Sequence, residues 1–428
     1  VTPTPQDSTQ PAHSTVSRRR LFGVAGAGAL AGVSGVAGWG IASARDDQPA
    51  GGPLAYAFHG EHQAGIVTPA QDRLHFAAFD VTSDSRESLI ELLEAWTVAA
   101  VAMTAGELVG GGAPQPYDAP PQDTGEAQDL DPAGLTITFG FGPTLFEKDG
   151  VDRFGLRDRQ PEELRRLPHF PADNLDEVRS DGDLCIQACA NDPQVAVHAI
   201  RNLSRIGFGT VSMRWAQLGF GRTSSTSTTQ ATPRNLFGFK DGTANLHAEE
   251  PEELSDHVWV QPGDDPAADW LAGGSYLVAR RISMRIETWD RTSLREQESL
   301  IGRDRVEGAP LSGGTEFTEP DFALQGRSGP IMPMDSHVRL AHPAQNNNTK
   351  LLRRGYNFTD GADALGRLDA GLFFIAFVRE PLTRYVPMQT VLSRDDALME
   401  YLEHTGSGLW AVPPGIAQGH YVGQALFT

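Results

Sequence analysis

The apolar run His75 to Val81 predicts a short strand. Asp84 stands three residues before Glu87, a helix-start signal resembling a capping box. Leu89, Leu92, Leu93 and Trp96 then recur at i, i+3, i+4 and i+7, which is one face of a helix. Leu135, Ile137, Phe139 and Phe141 alternate with Thr136, Thr138 and Gly140, the pattern of a half-buried strand. Leu184, Ile186 and Ala188 alternate likewise. Asp192-Pro193 supplies a cap and a first-turn proline for a second helix. A strand from about Thr210 to Leu218 closes this half.

The second half repeats the order. Tyr276 to Ile286 predicts a strand and Ser293 to Ile301 a helix. Leu351 to Phe358 and Gly371 to Val378 predict strands, Asp395 to Leu402 a helix, and Leu409 to Val412 a last short strand. The run Thr223 to Thr229, all Ser and Thr, has no apolar period and predicts a flexible linker between the halves. A Pro-, Asp- and Gln-rich loop occupies about 110–134, and a long insertion runs from about Gly302 to Lys350. Two β-α-β-β-α-β halves predict an α+β protein of two ferredoxin-like domains, whose sheets pack around a central site. The expected divisions are 1–44, a linker 45–55, an N-terminal domain 56–222 and a C-terminal domain 223–428.

Composition narrows the class. The chain has 428 residues, 39% of them hydrophobic, enough for a sizeable core. Its net charge of −20 repels a phosphate backbone, so no nucleic-acid partner is expected. The two cysteines, Cys185 and Cys189, exclude a disulfide scaffold and a Cys-rich zinc site. In a strand they stand about 13 Å apart, too far for a disulfide. Ser17-Arg18-Arg19-Arg20-Leu21-Phe22 precedes a Gly/Ala-rich stretch that closes on Ala42-Ser43-Ala44. That is the form of a twin-arginine signal peptide. A transmembrane anchor is the competing reading, weakened by abundant Gly and few Leu or Ile. Export by this route carries folded, often cofactor-loaded proteins. The expected location is therefore periplasmic, extracellular or at the cell envelope.

Three clusters in the second half could carry chemistry. Asn235 to Asn245 places Asp241 between Gly-rich flanks after aromatics, either a plain Asp-Gly turn or a carboxylate at a pocket wall. Pro333 to Pro343 holds His337 and His342 inside the insertion. Leu351 to Phe358 carries Arg353 and Arg354 in an apolar strand. Strand neighbours point to opposite faces, so one arginine could enter a pocket while the other reaches solvent. An edge strand with solvated charges is the alternative.

Together these clusters resemble the dye-decolourising peroxidases. The resemblance rests on Gly-x-x-Asp-Gly at Gly238–Gly242, on Asp-Ser-His-Val-Arg-Leu-Ala from Asp335, and on Leu-Arg-Arg-Gly-Tyr from Leu352. His62-Gln63-Ala64-Gly65-Ile66 and Asp192-Pro193-Gln194 add to it, over about residues 54–428. The subgroup it most resembles is the exported, deferrochelatase-like one. The resemblance implies a homodimeric protein with one haem b per subunit. It implies use of hydrogen peroxide to oxidise dye-type or phenolic donors through a ferryl intermediate. Carried over by motif, His337 is the axial iron ligand, Asp241 the distal acid and Arg353 the distal arginine. Gly242, Thr243, Ala244, His342, Pro343 and Ala344 line the haem, and Arg339 is a candidate for a propionate.

The residue types suit this chemistry. Cys185-Ile186-Gln187-Ala188-Cys189 is not a Cys-x-x-Cys-His motif, so covalent c-type haem is not indicated. A carboxylate on the second nitrogen of a ligating imidazole makes it more electron-donating, and Glu400 is the candidate, with Asp369 the competitor. Trp215, Trp289, Tyr356, Tyr385 and Trp410 could relay electrons to bulky donors, though each also suits core packing. A haem-handling component of an iron-uptake system, with a membrane partner, is the alternative function. A non-catalytic ferredoxin-like binding module is a third, and it leaves His337, Asp241 and Arg353 unexplained together.

Overall fold

The computed structural model describes residues 54–112, 116–327 and 329–428. The twin-arginine signal read at 1–44 and the first nine residues of the linker lie outside the described residues. Residues 51–428 form one compact unit.

The first half contains β1 (Arg73–Val81), α1 (Arg86–Thr104), β2 (Thr136–Phe141), β3 (Leu184–Ala190), α2 (Pro193–Ile206) and β4 (Val211–Arg222). The second contains β5 (Ser275–Met284), α3 (Leu294–Ile301), α4 (His337–Ala341), β6 (Leu352–Arg353), β7 (Tyr356–Ala362), β8 (Leu368–Val378), α5 (Val386–Asp395) and β9 (Leu402–Val412). Strands pair in the order β2-β3-β1-β4 in one half and β7-β8-β5-β9 in the other. Each is the order of a ferredoxin-like sheet, and the fold class is α+β as expected. The halves join edge to edge through β4–β7 and β9–β2, which closes an eight-stranded barrel without free long edges.

Closure explains why alternation underestimated burial. β2 and β3 are buried along their whole length, not on one face. Side chains such as Phe79, Phe139 and Ile186 pack under the helices with Leu89, Leu93 and Trp96. Their neighbours Phe76, Cys185 and Cys189 fill the barrel with Tyr356, Phe373 and Trp410. Both cysteines are free thiols.

The β9–β2 seam is thin, a single pairing of Ala411 with Phe141. Gln63 staples it. Its amide donates to Phe139 O and Pro413 O and accepts from Phe139 N. This places the His62–Ile66 motif at the seam, where His62 also stacks on Trp259 with ring centroids 3.8 Å apart.

Several local expectations need correction. The α1 cap is Ser85, which accepts from Ser88 N, and not Asp84. The strand expected over 351–358 breaks at Arg354-Gly355 into β6 and β7. The break lets the linker pass close by: a Cβ on Gly355 would stand 2.7 Å from Thr223 Oγ1. The helix expected over 395–402 is the end of the unforeseen α5 followed by a 3-10 turn, Ala397–Tyr401. β9 is eleven residues long, not four. The Ser/Thr linker is not flexible and exposed. Thr223 to Ser227 are buried, and their polar atoms are satisfied internally, as by Thr226 Oγ1 to Thr68 O at 2.7 Å and Ser227 Oγ to Glu249 at 2.6 Å.

His75 on β1 is largely buried with Nδ1 unpartnered, and burial pushes its pKa down to about 4. The unfolded chain binds this proton near pH 6.5 and the native state does not, so stability falls as pH drops from about 6.5 to 4. His75→Gln is expected to lose about 3 kcal/mol less than wild type between pH 7 and pH 4 in denaturant titrations. Equal losses in the two proteins contradict this.

Candidate functional site

Asp241 lies in a loop held at both ends. Its backbone N donates to Pro233 O at 2.9 Å, and Asn245 N returns to Gly242 O at 3.1 Å. Gly242 takes φ +91°, and a Cβ there would come within 2.9 Å of the Ser224 backbone. A glycine is required because the linker runs against it. The Asp241 carboxylate accepts from Asn235 Nδ2 at 3.2 Å and from Arg353 Nη1 at 3.1 Å. Asn245 in turn clamps β6, accepting from Arg353 N at 2.7 Å and donating to Arg353 O at 2.9 Å and to Ser225 O. Asp241 and Arg353 are thus positioned as one unit.

The arginine pair divides between two faces. Arg353 lies on a cavity wall. Arg354 does not reach solvent, as strand alternation allowed, but is 0% exposed. It donates to Ile66 O, Thr68 O, Thr226 Oγ1 and Gln71 Oε1.

His337 opens α4, directly after the buried Ser336. Its Nδ1 is 2.6 Å from Asp396 Oδ2. Asp396 is itself fixed, because its other oxygen accepts from Leu398 N and so caps the 397–401 turn. Ala397 N donates to Asp335 O at 3.0 Å and ties that turn to the loop before His337. Burial lowers the His337 pKa, but the Asp396 charge and hydrogen bond outweigh it, and the net shift is upward. The partner carboxylate is therefore neither Glu400 nor Asp369. Glu400 is exposed, and Asp369 binds Arg281 at 2.8 Å. The sequence signals Asp396 only as the cap of a short helical turn.

These groups share one cavity with about 1660 Å³ of atom-free space, its open mouth included. The sheet side carries Arg353 with Ile282, Leu372 and Phe374; the helix side carries His337 with Met388, Leu392 and Leu398. Gly242, Thr243, Ala244, His342 and Pro343 lie on the wall as expected. Ala344 and Arg339 do not. Arg339 donates instead to Phe322 O and Met332 O at 3.2 and 3.1 Å, and its guanidinium stacks on the Phe322 ring. Arg280, Arg303 and His404 on the wall were not anticipated. His404 is pushed down to about 3, by burial first and then by Arg280, so it is neutral.

An imidazole with Nδ1 engaged leaves Nε2 for a metal. A mainly apolar cavity that also holds a carboxylate–guanidinium pair suits an apolar cofactor whose chemistry moves protons.

Known proteins resemble the chain over most of its length. Residues 63–221 match the family model described as Dyp-type peroxidase, N-terminal, and 232–417 match Dyp-type peroxidase, C-terminal. Deferrochelatase of Escherichia coli (strain K12) is 37% identical over 424 residues, 96% of each chain. Deferrochelatase of Yersinia pseudotuberculosis is 38% identical over 375 residues, 86% of this chain and 84% of the relative. DtpA from Streptomyces lividans, solved as an oxyferrous/water mixed complex, superposes with a TM-score of 0.80 at 40% identity, covering 88% of this chain and 98% of that one. A DyP-type peroxidase from Cellulomonas bogoriensis gives a TM-score of 0.76 at 39% identity, covering 88% and 98%.

In the cofactor-free protein, His337 followed by NMR is expected to titrate above 6.5, where histidines ordinarily titrate. In Asp396→Asn burial and Arg353 act against the charge of Asp241 alone, and the pKa is expected to fall. An unchanged titration in Asp396→Asn would show that the pair does not hold the ring.

Proposed function

The chain belongs to the Dyp-type peroxidase family and is a haem peroxidase that uses hydrogen peroxide to oxidise organic donors, and from this premise we propose that its cavity holds one haem b between His337 and the Asp241–Arg353 pair. One observation carries the reading. A carboxylate-held imidazole and a carboxylate–guanidinium pair line a single, mainly apolar cavity.

The residues present fit the group. His337 would offer Nε2 to the iron, its ring held through Nδ1 by Asp396. The chain lacks a Cys-x-x-Cys-His motif, so the haem would be held without covalent links. The backbone of Gly242 to Ala244 and the side chains of His342 and Pro343 would border it. Arg339 and Ala344 stand off the wall and are left out of the proposed contacts.

When bound, haem supplies the redox chemistry that reduces peroxide and oxidises the donor. Asp241 takes a proton from one peroxide oxygen and returns it to the other. Arg353 donates to the departing oxygen as its charge develops. Asn235 and Asn245 keep both groups from drifting, so little reorganisation accompanies the reaction. Asp396 holds the proton on His337 Nδ1 and strengthens the imidazole as a donor. Leu372 and Phe374 on the wall exclude water from the reacting oxygens.

The name of the relatives, deferrochelatase, favours a second reading: handling of haem iron in an uptake system with a membrane partner. The Asp241–Arg353 pair is superfluous for carriage and favours the peroxidase. The remaining parts of the proposal are export by the twin-arginine route, supported by residues 17–44, and a homodimer, supported by the resemblance. Division into domains at 222/223 is supported by the strand order and by the gap between the two matched regions.

With haem retained, Arg353→Ala is expected to slow the peroxide-driven change of the Soret band about 10²–10³-fold, and Asp241→Ala by no more than that. A wild-type rate in Arg353→Ala removes the mechanism. A wild-type protein with a Soret band that ignores peroxide would favour the haem-handling reading.

A further inference from the structure

Arg354 has no role in the chemistry above, yet it is among the largest fully buried side chains. Its four acceptors, three carbonyl oxygens and one hydroxyl, are all neutral. Among the described residues no carboxylate pairs with it, whereas the buried Arg280 has Asp173 and the buried Arg281 has Asp360 and Asp369. An uncompensated buried cation is costly, and its field reaches far in a medium of low polarisability.

What it faces is the oxidisable interior of the barrel. Cys189 and Tyr356 lie beside it, both buried. The Tyr356 hydroxyl has no oxygen or nitrogen partner, and the Cys189 thiol is its polar neighbour. Tyr356 is cross-strand partner to Phe373, and Phe373 leads to Trp215 at 6.1 Å and Trp215 to Trp410 at 6.2 Å between ring centroids. The haem cavity is one sheet away. Gly355 and Leu372 line it, and they are the chain neighbours of Tyr356 and Phe373. Without a barrier, oxidising equivalents left at the haem would have a short way into the core.

We propose that Arg354 insulates the barrel core, its unpaired charge and the absence of a proton acceptor at Tyr356 together preventing electron loss from that phenol to the haem. Oxidation of Tyr356 would send one electron to the haem, reducing it by one equivalent, and one proton from the hydroxyl to a base. The guanidinium opposes the developing positive charge, and among the described residues no oxygen or nitrogen base is hydrogen-bonded to the hydroxyl. Arg354 thus directs oxidation outward, toward donors, without touching peroxide or haem.

The inference rests on haem occupying the cavity. The test is freeze-quench electron paramagnetic resonance of the haem-loaded protein after peroxide, without donor. In the wild-type background, Tyr356→Phe is expected to leave the radical spectrum unchanged. In Arg354→Gln, where water admitted by the shorter side chain takes the proton, a tyrosyl component that the wild type lacks is expected. Tyr356→Phe should remove it. Cys189→Asp keeps Arg354 and its four hydrogen bonds, neutralises the charge and supplies the base, and should give the same component even where Arg354→Gln does not fold. A Tyr356 signal in the wild type, or none in a haem-loaded variant, overturns the insulation. A wild type without a Soret band overturns the haem reading itself, and the insulation with it.

Discussion

The hydrogen bond between Asp396 and His337 is the contact on which the site depends. A carboxylate that is 1% exposed is expensive to bury, and a partner of opposite tendency is what offsets the cost. Here the partner is an imidazole, and the second carboxylate oxygen is used to start a helical turn. The same few atoms therefore close the 397–401 turn, anchor the insertion that carries α4, and choose which ring nitrogen faces the cavity. If His337 swung out of the wall, the cavity would lose the imidazole that Asp396 orients.

The barrel supplies the rigidity behind this. Each half alone would present sheet edges. Joined, they bury both faces of β2 and β3 and leave the Ser/Thr linker pressed between halves. The linker then acts as cavity floor: Thr223 and Ser224 line the site, and Gly242 and Gly355 are the places where the backbone must pass close to it. Arg354 binds the linker at Thr226 and the first half at Thr68 and Gln71, so a structural tie and an electrostatic one coincide in a single side chain.

Local sequence carried much of this. Hydrophobic period located nearly every long strand and the helices α1, α2 and α3, and Asp192-Pro193 capped α2 where expected. The two β-α-β-β-α-β halves followed from element order. The motifs led to Asp241, Arg353 and His337, which the fold brings together. What failed was everything that depends on a neighbour distant in sequence. Glu400 was sought by helical position, but the 395–402 segment is a tight turn whose cap, Asp396, makes the contact. Arg339 followed the motif but its side chain turns to backbone carbonyls behind the wall.

Sequence by itself determined the class of fold, the two-fold repeat of elements and the chemical types at the site, because period, capping and residue chemistry act over a few residues. Only the tertiary structure decided which faces are buried, which arginine enters the cavity and which acid holds the imidazole. Those outcomes follow from barrel closure, where 66 meets 354 and 63 meets 413. No local pattern encodes a hydrogen bond that long-range packing alone brings within reach.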